Sequence, residues 1–542
     1  MQNGQFIEYL CDLVGSMWAE KLYDGNFEGL SGYGFEFIKE TDFKEKPWYP
    51  SGAVNRARYS VDSENPVNGK TCQKIVASGT TPCTVGISQD GIFVDPSDPC
   101  QLRLWLRTEG ISEPVRVRIH EEGRELASEI FTSTGEWKRY GASIEPAGRS
   151  TAATFTIEFK GPGTLWIDAA SLMPANTVGG WRPDVVKALK GLKPGVIRIG
   201  GSVMDDPDKG AFEWQETIGD PDKRRPFRAW GGLQPTGPGL EEFVQLCYAV
   251  DAEPLICVRI REKTPRDAAD QIEYFNGDAS SPMGVWRAKN GRPEPYGVKY
   301  WQVGNEQGGE KYEAVLPGFL KAMKGADPTI ELLASYPSEG VLEGGGDLLD
   351  YVCPHHYECE DLQRESDDLD RVRRMIGDRP VRIGITEWNT TGGDWGLPRA
   401  KLWTLANALA CSRYQNLMHR NCDVIEIANR SNLTNSFCSG IIQTDRSRLY
   451  LTPTYYAQWL YGNYAGTTPL RVEPAARFGP GLDVSATLSV AGDVLTLFAV
   501  NDNVQRKGRG LTAPFVDRLK GRPLGGWAQN PIPPMPPMPP PP

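Results

Sequence analysis

From about residue 180 onward the chain alternates between short apolar runs and amphipathic stretches, and this alternation restricts the fold more than any other feature. The runs are GVIRIGG (195–201), EPLICVRI (253–260), VKYWQVGNE (298–306), IELLASYP (330–337), DYVCPHHY (350–357), VRIGITEWN (381–389) and CDVIEIANRSN (422–432). Between them lie stretches such as RPDVVKALKGL and GLEEFVQLCYAVDA, whose apolar residues are spaced for one helical face. Strands that alternate with helices build a parallel sheet with the helices outside. Seven such units, with GQFIEYL (4–10) near the N-terminus, make eight, the strand count of a (β/α)8 barrel. A doubly wound open sheet is the alternative, but no glycine-rich phosphate loop supports it.

Residues 35–175 break this rhythm. CQLRLWLRTEG, EPVRVRIHEEG, TAATFTIEFKG and TLWIDAASLMP alternate with period two between turn residues, the pattern of an antiparallel β-sandwich. The predicted organisation is therefore a first barrel strand and loop (1–34), an inserted sandwich (35–175), the rest of the barrel (176–464), a partial C-terminal β-domain (465–515) and a Pro-rich tail (516–542). A chain of 542 residues has room for these units.

A net charge of −10 with no run of Lys and Arg argues against a nucleic-acid partner. No window of 18 uncharged apolar residues is present to span a membrane. The start, MQNGQFIEYLCDLVG, lacks the basic stretch, apolar core and cleavage site of a signal peptide, so a soluble, intracellular (cytoplasmic) protein is expected. The four histidines show no zinc spacing and the cysteines no C-x-x-C, so neither a metal nor another cofactor is expected. Cysteines within EPLICVRI and VQLCYAV read as small buried hydrophobes. The 15 Trp and 20 Tyr suit stacking against sugars as well as a core.

Chemistry in such a barrel sits at the C-terminal ends of its strands. Those ends offer Glu8, Ser202, Arg259 or Arg261, Glu306, His355 to Tyr357, Glu387, and Asn429 to Asn435. Glu306 ends the fourth strand and Glu387 the seventh, across the barrel mouth from one another. A single glutamate at a strand end is ordinarily a surface or ion-paired residue. Two that converge on one ligand, one inside Gly-Asn-Glu, are the apparatus of glycoside hydrolysis. Asn305 is placed to hydrogen-bond a sugar hydroxyl. Of the adjacent His355 and His356, one should face the mouth and the other the helices. GGDWG (392–396) reads as a loop on the cleft, with Trp395 as a stacking face.

GQFIEYL, GSMWAEKLYDGNFEG, IRIGG, FEWQETIGDPDKRRPFRAWGG, WQVGNE, YVCPHHYE, ITEWN and LTPTYYAQWLY follow one another in an order that resembles glycoside hydrolase family 51. The resemblance implies a retaining α-L-arabinofuranosidase, with Glu306 as general acid/base and Glu387 as nucleophile. It further implies that Glu8, Asn305 and Tyr357 contact the sugar, that His355 and Asn435 belong to the pocket, and that the inserted sandwich is a carbohydrate-binding module. Where the family usually carries an Asn after IRIGG, Ser202 offers a shorter hydroxyl that leaves room for another sugar. Family members have further strands that complete the C-terminal sandwich, so that domain is expected to be partial. The implied substrate is arabinoxylan, arabinan or a related polysaccharide. An endo-β-1,4-glucanase or xylanase on the same scaffold is second. A non-catalytic carbohydrate-binding protein is the rival from another class, and it would not need both glutamates. Family members often form homo-oligomers; no stretch of the sequence establishes one.

Overall fold

The computed structural model describes residues 1–10, 13–28, 47–205, 212–229, 232–234, 236–390, 403–435, 440–445, 447–472 and 481–501. The loop with Trp395, residues 502–515 of the C-terminal domain and the tail at 516–542 lie outside them.

All eight expected strands form, each shorter than its apolar run. They are Gly4–Glu8, Val196–Gly200, Glu253–Val258, Tyr300–Val303, Glu331–Ala334, a sixth in two pieces (Tyr351–Val352 and His355–His356), Arg382–Trp388 and Ile425–Arg430. Each pairs in parallel with the next, and the eighth returns to the first through Gly4 opposite Asn429 and Gln5 opposite Arg430, so the barrel is closed. Helices Pro183–Gly191, Leu240–Ala249, Pro265–Asn276, Glu310–Ala326, Glu339–Gly345, Leu362–Ile376, Leu405–Arg420 and Pro453–Tyr464 separate the strands and cover the outside. Several start where the sequence places a cap. Thr264 accepts from the amide of Asp267 with Pro265 at the first turn, and Ser338, Asp361 and Thr404 cap in the same way.

Inside the barrel, Val196, Leu255, Tyr300, Leu333, Tyr351 and Ile427 form an apolar cluster near the N-terminal ends of the strands. Side chains of a strand return to the same face every second residue. Two residues beyond Val196 and Tyr300, that inward face therefore carries Arg198 and Gln302, both fully buried. The lumen thus changes from apolar to polar just below the mouth.

Between the first strand and the helix Pro183–Gly191 stands the expected sandwich, two five-stranded antiparallel sheets. Its strand Cys100–Glu109 buries Leu102, Leu104 and Leu106 and turns the residues between them outward. A barrel side chain, Asp222, helps to anchor it. The Asp222 carboxylate accepts from Arg103 Nε at 2.7 Å and Trp105 Nε1 at 2.9 Å, and pairs with Arg139 Nε at 3.1 Å. At the other end, a three-stranded antiparallel sheet (Thr468–Leu470, Leu482–Leu488, Leu495–Asn501) packs on the helix Leu405–Arg420. The Arg420–Asp483 pair at 3.0 Å and the Tyr461–Phe498 stack at 4.2 Å hold it there. Cys247 and Cys257, in the runs read as core, are buried and free. Among the described residues no helix is long and apolar enough to cross a membrane.

The Asp222 side chain is only 2% exposed, so its loss takes the acceptor from Arg103 Nε and Trp105 Nε1, while Arg139 keeps Asp220. Asp222→Ala is expected to destabilise the docked sandwich by about 2 kcal/mol, seen as a lower-temperature first transition in calorimetry. An unchanged thermogram would contradict this anchoring role.

Candidate active site

The fourth strand ends at Val303, and the chain then bends sharply. Gly304 has φ +75° and Glu306 φ +52°, the left-handed region that suits glycine and is uncommon for any other residue. The bend carries Glu306 to the barrel mouth, where its side chain is 41% exposed; that of Glu387, on the seventh strand, is 6% exposed. A carboxylate oxygen of each and a ring nitrogen of His355 all lie within 4.8 Å of one another.

The two carboxylates have different partners. Glu387 Oε1 accepts from Arg198 Nη1 at 2.8 Å, and its Oε2 accepts from the Tyr357 hydroxyl. Arg198 also donates through Nε to Gln302 Oε1 and through Nη2 to Asn305 Oδ1, both at 2.6 Å. With Oδ1 committed to a guanidinium, the Asn305 amide is fixed so that its Nδ2 donor is the end offered to a ligand. Tyr357 makes a second contact, to Ser431 Oγ at 3.2 Å.

Glu306 Oε1 lies 3.0 Å from His355 Nδ1, and His355 Nε2 lies 3.0 Å from Thr386 Oγ1. Tyr336, at the end of the fifth strand, meets the His355 ring edge-on at 5.5 Å and directs its hydroxyl to Glu306. Burial pushes the Glu306 pKa up, but the hydrogen bonds and charge of His355, the Tyr336 hydroxyl and the charge of Arg198 outweigh it and bring the pKa to about 2. These contacts favour the ionised form of Glu306. The same surroundings, burial first and then the charges of Glu306 and Glu387, push the Tyr336 hydroxyl well above its ordinary range.

The structure thus joins Glu306, Glu387, Asn305, His355 and Tyr357 into one connected set. Glu8 and Ser202 pair with each other at the ends of strands one and two, the Ser202 amide donating to Glu8 Oε1 at 2.9 Å. Gly201, with φ +85°, makes that approach feasible, since a Cβ there would sit 2.2 Å from the Glu8 carboxyl carbon. The Asn435 amide is turned to the backbone of Thr444, with bonds of 2.7 and 2.8 Å that brace the segment after strand eight. His356 faces the helices, as alternation requires, with Tyr414 and Asp368 on its two nitrogens. Arg198, Tyr336 and Thr386 were not picked out by reading strand ends. An arginine inside an otherwise apolar strand was the available signal for the first, and strand five was the one strand whose end supplied no candidate. Glu306, His355 and Glu387 have the spacing of cation ligands. Here, however, a guanidinium already supplies positive charge 2.8 Å from Glu387, and both nitrogens of His355 are engaged by the protein.

A family model described as the α-L-arabinofuranosidase 1 domain matches residues 188–374, and one described as the α-L-arabinofuranosidase C-terminal domain matches 386–487, together more than half of the chain. Among curated relatives, α-L-arabinofuranosidase 1 of Arabidopsis thaliana is 27% identical over 497 residues, 84% of this chain and 70% of the relative. An intracellular exo-α-(1→5)-L-arabinofuranosidase of Acetivibrio thermocellus is 25% identical, over 60% of this chain and 76% of the relative. Among solved structures, the arabinose-bound α-L-arabinofuranosidase MgGH51 shares the fold with a TM-score of 0.77 at 19% identity, over 92% of this chain and 86% of that one. The arabinose complex of the Thermotoga maritima α-L-arabinofuranosidase superposes with a TM-score of 0.53 at 27% identity, over 60% of this chain and 76% of that one.

The His355 contact yields a test. His355→Phe removes the hydrogen bond and the charge while burial remains, so the Glu306 carboxyl is expected to titrate well above about 2, toward or beyond 4.5. A carboxyl depressed by folding stabilises the native state above its unfolded pKa, and the contribution fades as pH falls through the folded value. The wild-type protein should therefore lose this contribution between about pH 4.5 and 2, and the variant should lack it. Carboxyl-carbon NMR titration measures the shift, and an unmoved Glu306 would contradict the assignment.

Proposed function

The chain is a family-51, α-L-arabinofuranosidase-like glycoside hydrolase, and on that premise we propose that it removes non-reducing-end α-L-arabinofuranosyl residues from plant cell-wall polysaccharide by a retaining mechanism. The observation that carries this reading is the close approach, within 4.8 Å, of two carboxylate oxygens whose surroundings differ. Retaining glycosidases hold their two carboxyl groups about 5–5.5 Å apart, whereas inverting enzymes leave a wider gap for water.

In the first step a Glu387 oxygen attacks the anomeric carbon and forms a glycosyl ester, while Glu306 gives its proton to the departing oxygen. Arg198 and Tyr357 fix the Glu387 carboxylate for that attack. Glu306 must be protonated at this point. A leaving group seated over its exposed side chain excludes water and raises its pKa, the direction in which burial already acts. In the second step Glu306 takes a proton from the water that attacks the ester, and the His355 and Tyr336 contacts that favour its ionised form suit this step. In this reading Asn305 Nδ2 and Glu8 bind sugar hydroxyls. Arabinoxylan and arabinan are the proposed polymers, with the inserted sandwich as the module that holds them. Because Ser202 is shorter than the family's usual Asn, β-1,4-glucan and xylan belong in the same assay.

The test is hydrolysis of 4-nitrophenyl α-L-arabinofuranoside beside soluble β-1,4-glucan and xylan. The expected result is release of arabinose as the α anomer, visible by NMR before mutarotation and abolished in Glu387→Gln. Glu306→Gln should slow cleavage of unactivated glycosides by about 10²–10⁴-fold. Cleavage of the polymers alone would move the enzyme to an endo-acting role, and full activity in Glu387→Gln would overturn the proposal.

A further inference from the structure

Glu306 holds a left-handed backbone conformation that is unfavourable for a glutamate, so contacts around it must help to hold the bend. On its C-terminal side the answer is local. The amide of Gln307 donates to Ser335 Oγ at 2.8 Å, and the Tyr312 hydroxyl, 2.7 Å from the carbonyl of Val303, accepts from the amide of Ser335 at 2.9 Å. On its N-terminal side a distant residue does this work. After strand two the chain passes through Gly201 and the short 3-10 turn Ser202–Met204 to Asp205, which is 2% exposed.

The Asp205 carboxylate is spent on backbone amides. Oδ1 accepts from Ile260 at 3.1 Å and Arg261 at 3.0 Å, just past the end of strand three. Oδ2 accepts from the amide of Asn305 at 2.7 Å, just past strand four and one residue before Glu306. Gly304 closes against the same oxygen, since a Cβ there would lie 3.2 Å from Asp205 Oδ2 and 3.1 Å from Ile260 Cδ1. One buried side chain thus ties the ends of strands two, three and four together at the bend that presents Glu306.

We propose that Asp205 is the positioning residue for the general acid, setting the backbone of the Asn305–Glu306 bend so that the Glu306 carboxyl meets the leaving oxygen. The inference rests on the roles proposed above for Glu306 and Glu387. The Glu387 carboxylate is held by Arg198 and Tyr357, and Arg198 is kept in place by Gln302 as well as by Asn305, so this hold does not rest on the bend alone. Damage at Asp205 should therefore fall on proton donation and spare the attack.

Asp205→Asn keeps the shape but replaces one acceptor oxygen with a donor. If the remaining oxygen serves Ile260 and Arg261, the Asn305 amide faces an NH2 group and is pushed away. The readout is kcat/KM, which ends with the first irreversible step, for two glycosides of the same sugar. Dinitrophenolate departs from its glycoside without proton assistance; the methyl glycoside, whose leaving group is methoxide, needs the acid. In Asp205→Asn the methyl glycoside should lose about 100-fold, while the dinitrophenyl glycoside stays within about 3-fold of wild type. Gly304→Ala, which crowds the same oxygen from the other side, should show the same split and serves if Asp205→Asn does not fold. An equal loss on both glycosides would make Asp205 merely structural and overturn the proposal, as would no loss on either. A wild-type enzyme that cleaves neither arabinofuranoside would overturn the function proposed above and this inference with it.

Discussion

A single guanidinium organises the floor of the cleft. Arg198 is completely buried, and placing a charge there costs several kcal/mol unless acceptors surround it. Its three nitrogens each donate, to Gln302, Asn305 and Glu387, so strands two, four and seven must keep their register for the charge to be tolerated. The constraint also works outward. It fixes which end of the Asn305 amide faces a ligand, and it supplies the counter-charge to a carboxylate with 6% of its side chain exposed. The apolar cluster beneath, from Val196 to Ile427, is the packed base on which this polar layer stands.

The second carboxylate is built on a different plan. Glu306 lies at the open mouth, reached through a left-handed bend, and its partners are His355 and Tyr336 on strands six and five rather than a buried cation. A group that must both give and take a proton benefits from surroundings that change when the cleft fills. A group that must attack along one line benefits from surroundings that do not. Under the proposed roles the two glutamates divide in that way, Glu387 held by a buried guanidinium below and Glu306 more exposed at the mouth above.

Much of this was legible in the sequence, for identifiable reasons. Eight apolar runs separated by amphipathic stretches leave few topologies, and counting them placed Glu306 on strand four and Glu387 on strand seven. Period-two alternation was enough to send one of the adjacent histidines to the mouth and the other to the helices, and the family resemblance chose His355 for the pocket. Arg198 lay in plain view inside IRIGG. Its meaning depends on which face of the strand turns into the lumen and on what strand four brings to meet it, and neither is a property of its own segment. Asp205 acts from a turn beyond the strand end, on amides 55 and 100 positions away in the chain. No local pattern marks such a residue. Ser202 was weighed for its side chain, whereas the contact it makes to Glu8 is through its backbone amide. Asn435 ends up bracing the Thr444 segment, since an amide with one donor and one acceptor end fits a backbone pair as readily as a sugar.

The central claim is that Glu387 carries the sugar covalently between the two steps. The most direct measurement uses Glu306→Ala with dinitrophenyl α-L-arabinofuranoside: the first step proceeds without an acid, and the second is starved of its base. Intact-mass analysis should show the protein heavier by one anhydropentose, and peptide mapping should place the adduct on Glu387. An enzyme that turns over this substrate without accumulating an adduct, or that carries it on another residue, would contradict the account.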